Sequence, residues 1–227
     1  MRLMHPYLQE PLSITDDKVQ VLVIENQLLF TKLVSELVFQ IEGVGETFVL
    51  SMNYEPIELK SEMEVIIDYF HLSGTQKRIQ TKLNNLFRQL AQQELQFETV
   101  RIFEDLCSYY QKLSENIEFS ITYKVSNDVS PLLKMGDIQI SLEGETLAEK
   151  LLDYMTICSR LCGISCFSLI NLKRFISMNE LELLYKSAIG KKLRLLLVEN
   201  TYQAGLERYE NTLLLDNDMC ELRVEVE

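Results

Sequence analysis

The sequence predicts an α/β protein: a degenerate nucleotide-binding-like sheet domain, the head, with an inserted α-helical domain, the leg. Three observations predict it. First, the apolar run Val19-Gln20-Val21-Leu22-Val23-Ile24 turns at Glu25-Asn26 into a helix with apolar residues at Leu29, Phe30, Leu33, Val34, Leu37, Val38 and Ile41. A short β-branched run this apolar is a strand buried on both faces, as in a parallel sheet. Second, apolar strand patterns return late in the chain, at 164–172 and 193–198, with a helical pattern between them. Third, two long helical patterns stand in the middle, where a sheet domain would host an insertion. The expected division is a head of residues 1–59 and 141–227 and a leg of residues 60–140.

The elements follow in order. Residues 1–17 read as an edge strand or arm broken by Pro6 and Pro11. Asn26 can cap the first helix by accepting a hydrogen bond from its first turn, and Gly43 and Gly45 end it. Thr47–Ser51 reads as a strand. Glu55–Lys60 reads as a short extended piece leading into an amphipathic segment through Phe70. Ser73-Gly74-Thr75 marks a turn. The first long helix then keeps Ile79, Leu83, Leu86 and Leu90 on one face. The second keeps Val100, Phe103, Leu106 or Cys107, Tyr110 and Leu113 together, after a polar connection near Gln92-Gln93. Ile117 to Val125 alternates and reads as a strand. A short helix runs from 127 to 135, starting near Pro131 and stopped by Gly136. Residues 138–140 are extended, 145–161 helical, 164–172 a core strand, 179–189 a helix closed by Gly190, and 193–198 another core strand. The tail, 212–226, carries Leu213-Leu214-Leu215 and the alternating Leu222-Val224-Val226.

Nucleotide-binding versions of such a strand–helix unit join the two through a glycine-rich loop ending in Lys-Ser/Thr, which wraps phosphates in backbone N–H groups. Here the connection is Glu25-Asn26, with a carboxylate where a phosphate would sit. The fold suggests a nucleotide enzyme; the loop argues against one.

The chain has 227 residues, enough for a substantial core. Its net charge of −12 predicts a soluble protein repelled by nucleic acid and anionic lipid, taken as an average. No apolar run approaches the ~18–20 residues that span a bilayer. Five cysteines and the absence of an apolar leader in Met1–Pro6 predict reduced thiols and a cytoplasmic protein.

Charge is unevenly distributed. Tyr69 to Gln93 contains no Asp or Glu but holds Lys77, Arg78, Lys82 and Arg88, so it carries +4 and the remainder −16. On a helix, Arg78, Lys82, Asn85 and Gln89 line one stripe beside the apolar face. These are side-chain types that bond phosphate oxygens. Such a stripe on an acidic protein is the electrostatic footprint of a polyanion site. A solvated face that lacks acids has the same pattern. Four charges on one monomer bind weakly, so the stripe gains force where several copies converge.

Other motifs carry less. Gly190-Lys191-Lys192 precedes a strand and lacks the rest of a phosphate loop. Cys158, Cys162 and Cys166 look like a ligand cluster, but Gly163 interrupts the helix, and His5 and His71 are remote. Core thiols account for them better than zinc. Glu58-Leu59-Lys60, with Glu46 upstream, resembles the end of a metal-dependent nuclease core. Asp216, Asn217 and Asp218 could meet a hard cation. No nucleophile–base pair supports acyl transfer.

The Val-Leu-Val-Ile-Glu-Asn strand–helix at 21–26, the helical entry Leu59-Lys60-Ser61-Glu62-Met63 and the late strand Leu195-Leu196-Leu197-Val198-Glu199 carry a resemblance. In element order and length, nearly the whole chain resembles the small ring-forming adaptation protein of type II-A CRISPR systems, which binds double-stranded DNA ends. The resemblance implies a non-enzymatic protein: a homotetrameric ring with a basic channel for duplex DNA and calcium supporting its subunit contacts. It also implies a part in spacer acquisition, alongside the integrase pair and the effector nuclease. The expected DNA-binding residues are Lys77, Arg78, Lys82, Arg88 and Lys124. The family's acidic strand before a short helix reads here Glu118-Phe119-Ser120-Ile121-Thr122-Tyr123-Lys124-Val125. Glu118 remains as a metal ligand, and Lys124 stands where an acid is expected. The rival readings are a helical interaction module and a metal-dependent nuclease or nucleotide hydrolase of α/β type.

Overall fold

The computed structural model describes residues 1–224, so Val226 of the alternating tail lies outside the described residues. The chain divides into two compact units, Met1–Ser73 with Leu142–Glu227, and Gly74–Ser141.

The first unit is built on β3 (Val19–Ile24), every residue of which is buried. Its neighbours explain the burial. β3 pairs in parallel with β8 (Arg194–Glu199) on one side and with β9 (Glu210–Leu215) on the other. β8 pairs in parallel with β7 (Cys166–Ile170), which pairs with β6 (Met63–Ile66), and β10 (Glu221–Val224) closes the other edge antiparallel to β9. The order is β10-β9-β3-β8-β7-β6. A strand with partners on both edges and cover on both faces can be apolar throughout, which is what its sequence shows.

One face of this sheet is covered by α1 (Gln27–Glu42), which buries Leu29, Leu33 and Leu37. They meet Leu22, Ile24, Leu196 and Val198 in one apolar cluster. That cluster takes in a second, antiparallel sheet of β1 (Arg2–Met4), β2 (Leu12–Ser13), β4 (Val49–Met52) and β5 (Glu55–Ile57), ordered β2-β1-β4-β5. Asn26 caps α1 as expected, its Oδ1 accepting from Leu29 N–H at 3.0 Å. Gly43 ends the helix at φ +94°, the left-handed region where a Cβ is costly.

α6 (Leu147–Ile157) and α7 (Met178–Gly190) pack together, and α7 also packs against β8. Both start with capping boxes, Thr146 with Glu149 and Ser177 with Glu180. Each satisfies two backbone donors reciprocally. Tyr154 Oη donates to Glu64 Oε1 at 2.8 Å, tying α6 to β6. After α6 the helix widens to a single π turn, Cys158–Cys162.

The second unit contains α3 (Lys77–Gln93), α4 (Gln96–Glu115) and α5 (Ser130–Met135); a one-turn α2 (Leu59–Glu62) belongs to the sheet unit. α3 packs on both α4 and α5. The two ends of the unit meet at Gly74, where a Cβ would overlap the Ile140 carbonyl.

Three expectations change. Residues 60–73 belong with the sheet, because Met63–Ile66 is its edge strand rather than part of an amphipathic lead-in. Ile117–Val125 alternates but pairs with no strand among the described residues, and 138–140 is likewise irregular. The alternation at 117–125 has no sheet edge to exploit, and Ile117, Phe119, Ile121 and Tyr123 are exposed.

Candidate nucleic-acid interface

α3 is amphipathic by position. Ile79 and Leu83 are buried and Leu90 half-buried against the rest of the unit, while Leu86 is exposed. Arg78, Lys82, Asn85 and Gln89 are all exposed. At about 100° per residue these four fall within roughly 60° of arc, beside the apolar face. The same geometry sets Lys77 and Arg88 about a third of a turn further round.

The expected DNA-binding residues therefore do not form one row. Lys77 and Lys82 are exposed and in no ion pair among the described residues. Arg88 is engaged: its Nε donates to Ser130 Oγ at 2.9 Å, and Ser130 Oγ donates to Asp128 Oδ1 at 2.5 Å. These Ser130 hydrogen bonds, with the Arg88 and Lys134 charges nearby, hold the Asp128 carboxyl below its usual range. Lys124 is exposed in the irregular stretch after α4.

The helical unit carries eight basic and eight acidic residues, against 14 and 26 in the rest of the chain. Its acids lie outside α3, at Glu94, Glu98, Glu104, Asp105, Glu115, Glu118, Asp128 and Asp137. α3 is thus a helix with cations and amides but no carboxylate, in the less acidic of the two units.

Calcium takes six to eight oxygens. Glu118 is exposed, and no group of three or more His, Cys, Asp or Glu converges among the described residues. The Glu46–Glu58 pair and the three cysteines likewise belong to no such group among the described residues. Cys166 is instead a core thiol, its pKa pushed up to about 12 by burial. The tail acids serve their own turn: Asp216 Oδ1 accepts from the Asp218 and Cys220 N–H groups at 2.9 and 2.8 Å.

Open α/β sheets bind ligands at the carboxyl ends of their strands. At that end of β3, the backbone is occupied by local bonds. Glu25 N–H donates to Leu215 O at 2.9 Å, and Asn26 Nδ2 donates to Asn217 O at 3.0 Å. Asn26 holds the first turn of α1 and clips it to the β9–β10 turn. With no glycine to bring the backbone close and no lysine, a phosphate has no cradle there.

Sequence reasoning missed a buried ionic group in the sheet unit. Lys173 Nζ lies 2.8 Å from Glu210 Oε1, with both side chains 2% exposed. Tyr185 Oη donates to Glu210 Oε1 at 2.8 Å, and Lys173 N–H donates to Glu199 Oε1 at 3.1 Å. Burial pushes the Glu199 carboxyl up to about 7. The partners are up to 37 residues apart, so no local pattern announces them.

These features define an α/β protein with a nucleotide-binding-like sheet, no phosphate cradle and a helical insertion bearing a basic stripe. The family model for CRISPR-associated protein (Cas_Csn2) matches residues 40–219, and the chain belongs to that family. Among solved structures, Stu0660 of Streptococcus thermophilus is similar in fold, at 15% identity and a TM-score of 0.57 over 95% of this chain and 75% of that one. An ATP-binding subunit of an ABC transporter aligns at 12% identity and a TM-score of 0.46, covering 98% of this chain and 89% of that one. A putative ABC transporter ATP-binding protein of Pyrococcus furiosus aligns at 11% identity and a TM-score of 0.42, covering 93% and 97%. No curated protein matches. No helix among the described residues is long and apolar enough to cross a membrane.

Proposed function

We propose that this protein is a non-enzymatic, sequence-independent clamp for double-stranded DNA ends, acting in CRISPR adaptation in the cytoplasm. One observation carries the reading: α3 exposes Arg78, Lys82, Asn85 and Gln89 in one stripe with no carboxylate on the helix. Membership of a CRISPR-associated family supports the setting. Such a stripe contacts phosphates and reads no base, so affinity comes from counterion release rather than sequence. Lys77 and Lys124 extend the contact, and Arg88 braces the unit. The duplex is gripped by a homotetrameric ring in which several copies of α3 converge. Exposed apolar side chains on the helical unit, among them Phe97 at 89% and Phe119 at 78%, supply surface for self-association. The DNA passes to the integrase pair and the effector nuclease.

Replacing Lys77, Arg78 and Lys82 together by Glu tests the reading. Binding of a linear duplex is lost while the sedimentation of the oligomer is unchanged. Retained binding would place the contact on another surface. A closed circular duplex is the control, since a closed ring loads from a free end. The occupied Glu25–Asn26 turn disfavours a nucleotide hydrolase, which nucleotide titration checks separately.

A further inference from the structure

A second basic site lies in the sheet unit, at the entry to β8. Here Arg160, Lys191 and Lys192 line an open hollow of about 350 Å³ with Thr156, Ser159 and Gly190. Among the described residues no acidic side chain lines it, although acids outnumber bases 26 to 14 outside the helical unit. The hollow lies where β8 begins, and the Glu25–Asn26 turn lies where β3 ends; these parallel strands put the two at opposite ends of the sheet. It is therefore not a remnant of the nucleotide cradle.

Its backbone is fixed. Lys192 sits at φ +57°, a conformation that favours glycine, and its N–H donates to Ile189 O at 2.9 Å while Leu193 N–H donates to Ala188 O at 2.9 Å. A lysine in the left-handed region is strained, its Cβ crowding the carbonyl oxygen that follows. Gly190, with an ordinary φ and open space where its Cβ would be, stands two residues earlier. The chain thus ends α7 with a lysine at the position glycine would suit, beside a second lysine. Lysines at a helix C-terminus complement its dipole. That role needs neither Arg160, which comes from the π turn after α6, nor an acid-free lining. Three cations lining one hollow repel one another, and an anion seated among them relieves that repulsion.

We propose that this hollow is an oxyanion pocket that takes a phosphate group, independently of the α3 stripe. The phosphate comes either from a free phosphorylated small molecule or from a nucleic-acid backbone; the tetrahedral, multiply charged oxyanion is common to both.

Calorimetric titration of the full-length protein with pyrophosphate at low salt tests it. The unaltered protein binds, and the Arg160→Gln/Lys191→Gln/Lys192→Gln variant binds at least tenfold more weakly. The Lys77→Glu/Arg78→Glu/Lys82→Glu variant binds pyrophosphate as the unaltered protein does, which separates this site from the clamp. If the glutamine variant also loses duplex affinity, the phosphate is supplied by nucleic acid; if not, by a free ligand. Lys192→Gly guards against misfolding, because glycine suits that φ: it melts no lower than the parent, yet pyrophosphate raises its Tm less. No binding to the unaltered protein, or equal binding to the glutamine variant, overturns the proposal.

Discussion

Arg88 Nε lies 2.9 Å from Ser130 Oγ, so this basic residue of α3 is already engaged inside the helical unit. Its hydrogen bond continues through Ser130 to Asp128. Arg88→Ala should therefore reduce duplex affinity less than Lys82→Ala. Because the pair is solvent-exposed, the stability cost stays below about 1 kcal/mol. Fluorescence anisotropy with a short duplex and thermal melts of both variants check the ordering.

Lys173 is the cation of the buried Glu210 pair. Removing one partner of such a pair leaves an uncompensated charge, which typically costs about 3–5 kcal/mol. Lys173→Met should lose that much in urea unfolding. Adding Glu210→Gln should restore part of it, since the stranded carboxylate is then gone.

Glu199 makes stability depend on pH. Its folded pKa of about 7 stands above the ordinary 4.5, chiefly through burial. Between those values the folded chain binds more protons than the unfolded chain, so stability falls as pH rises through that window. The full effect is on the order of 3 kcal/mol and is complete above about pH 7. Glu199→Gln should flatten urea-derived stability between about pH 5 and 7; an unchanged slope would assign the dependence to another group.

Gly74 closes the helical unit against the Ile140 carbonyl. Gly74→Ala forces a backbone shift there, a kind of overpacking that costs about 1–3 kcal/mol. Hydrogen exchange should quicken across residues 74–141 while β3 and β8 stay protected.

What was legible in the sequence follows from how local each signal is. β3 and α1 announce themselves because a strand buried on both faces and a helix capped by Asn26 and Gly43 leave strong short-range patterns. β6 leaves no clear signal because an edge strand of four residues, two of them half-exposed, has little to distinguish it from an amphipathic lead-in. The starts of α6 and α7 were legible as Thr-x-x-Glu and Ser-x-x-Glu, signals the apolar periodicity overlooked. At 117–125, alternation predicted a strand, but a strand also needs a partner edge, which no local pattern supplies. The α3 stripe was readable from spacing; the engagement of Arg88 was not, since Ser130 is 42 residues away.

In the proposed clamp, exposed cations on α3, gathered by self-association, neutralise duplex phosphates. The salt dependence of duplex affinity tests it most directly. Raising salt from about 50 to about 300 mM should weaken binding at least about a hundredfold, the effect of roughly three neutralised phosphates. A change of less than about threefold over that range would contradict it.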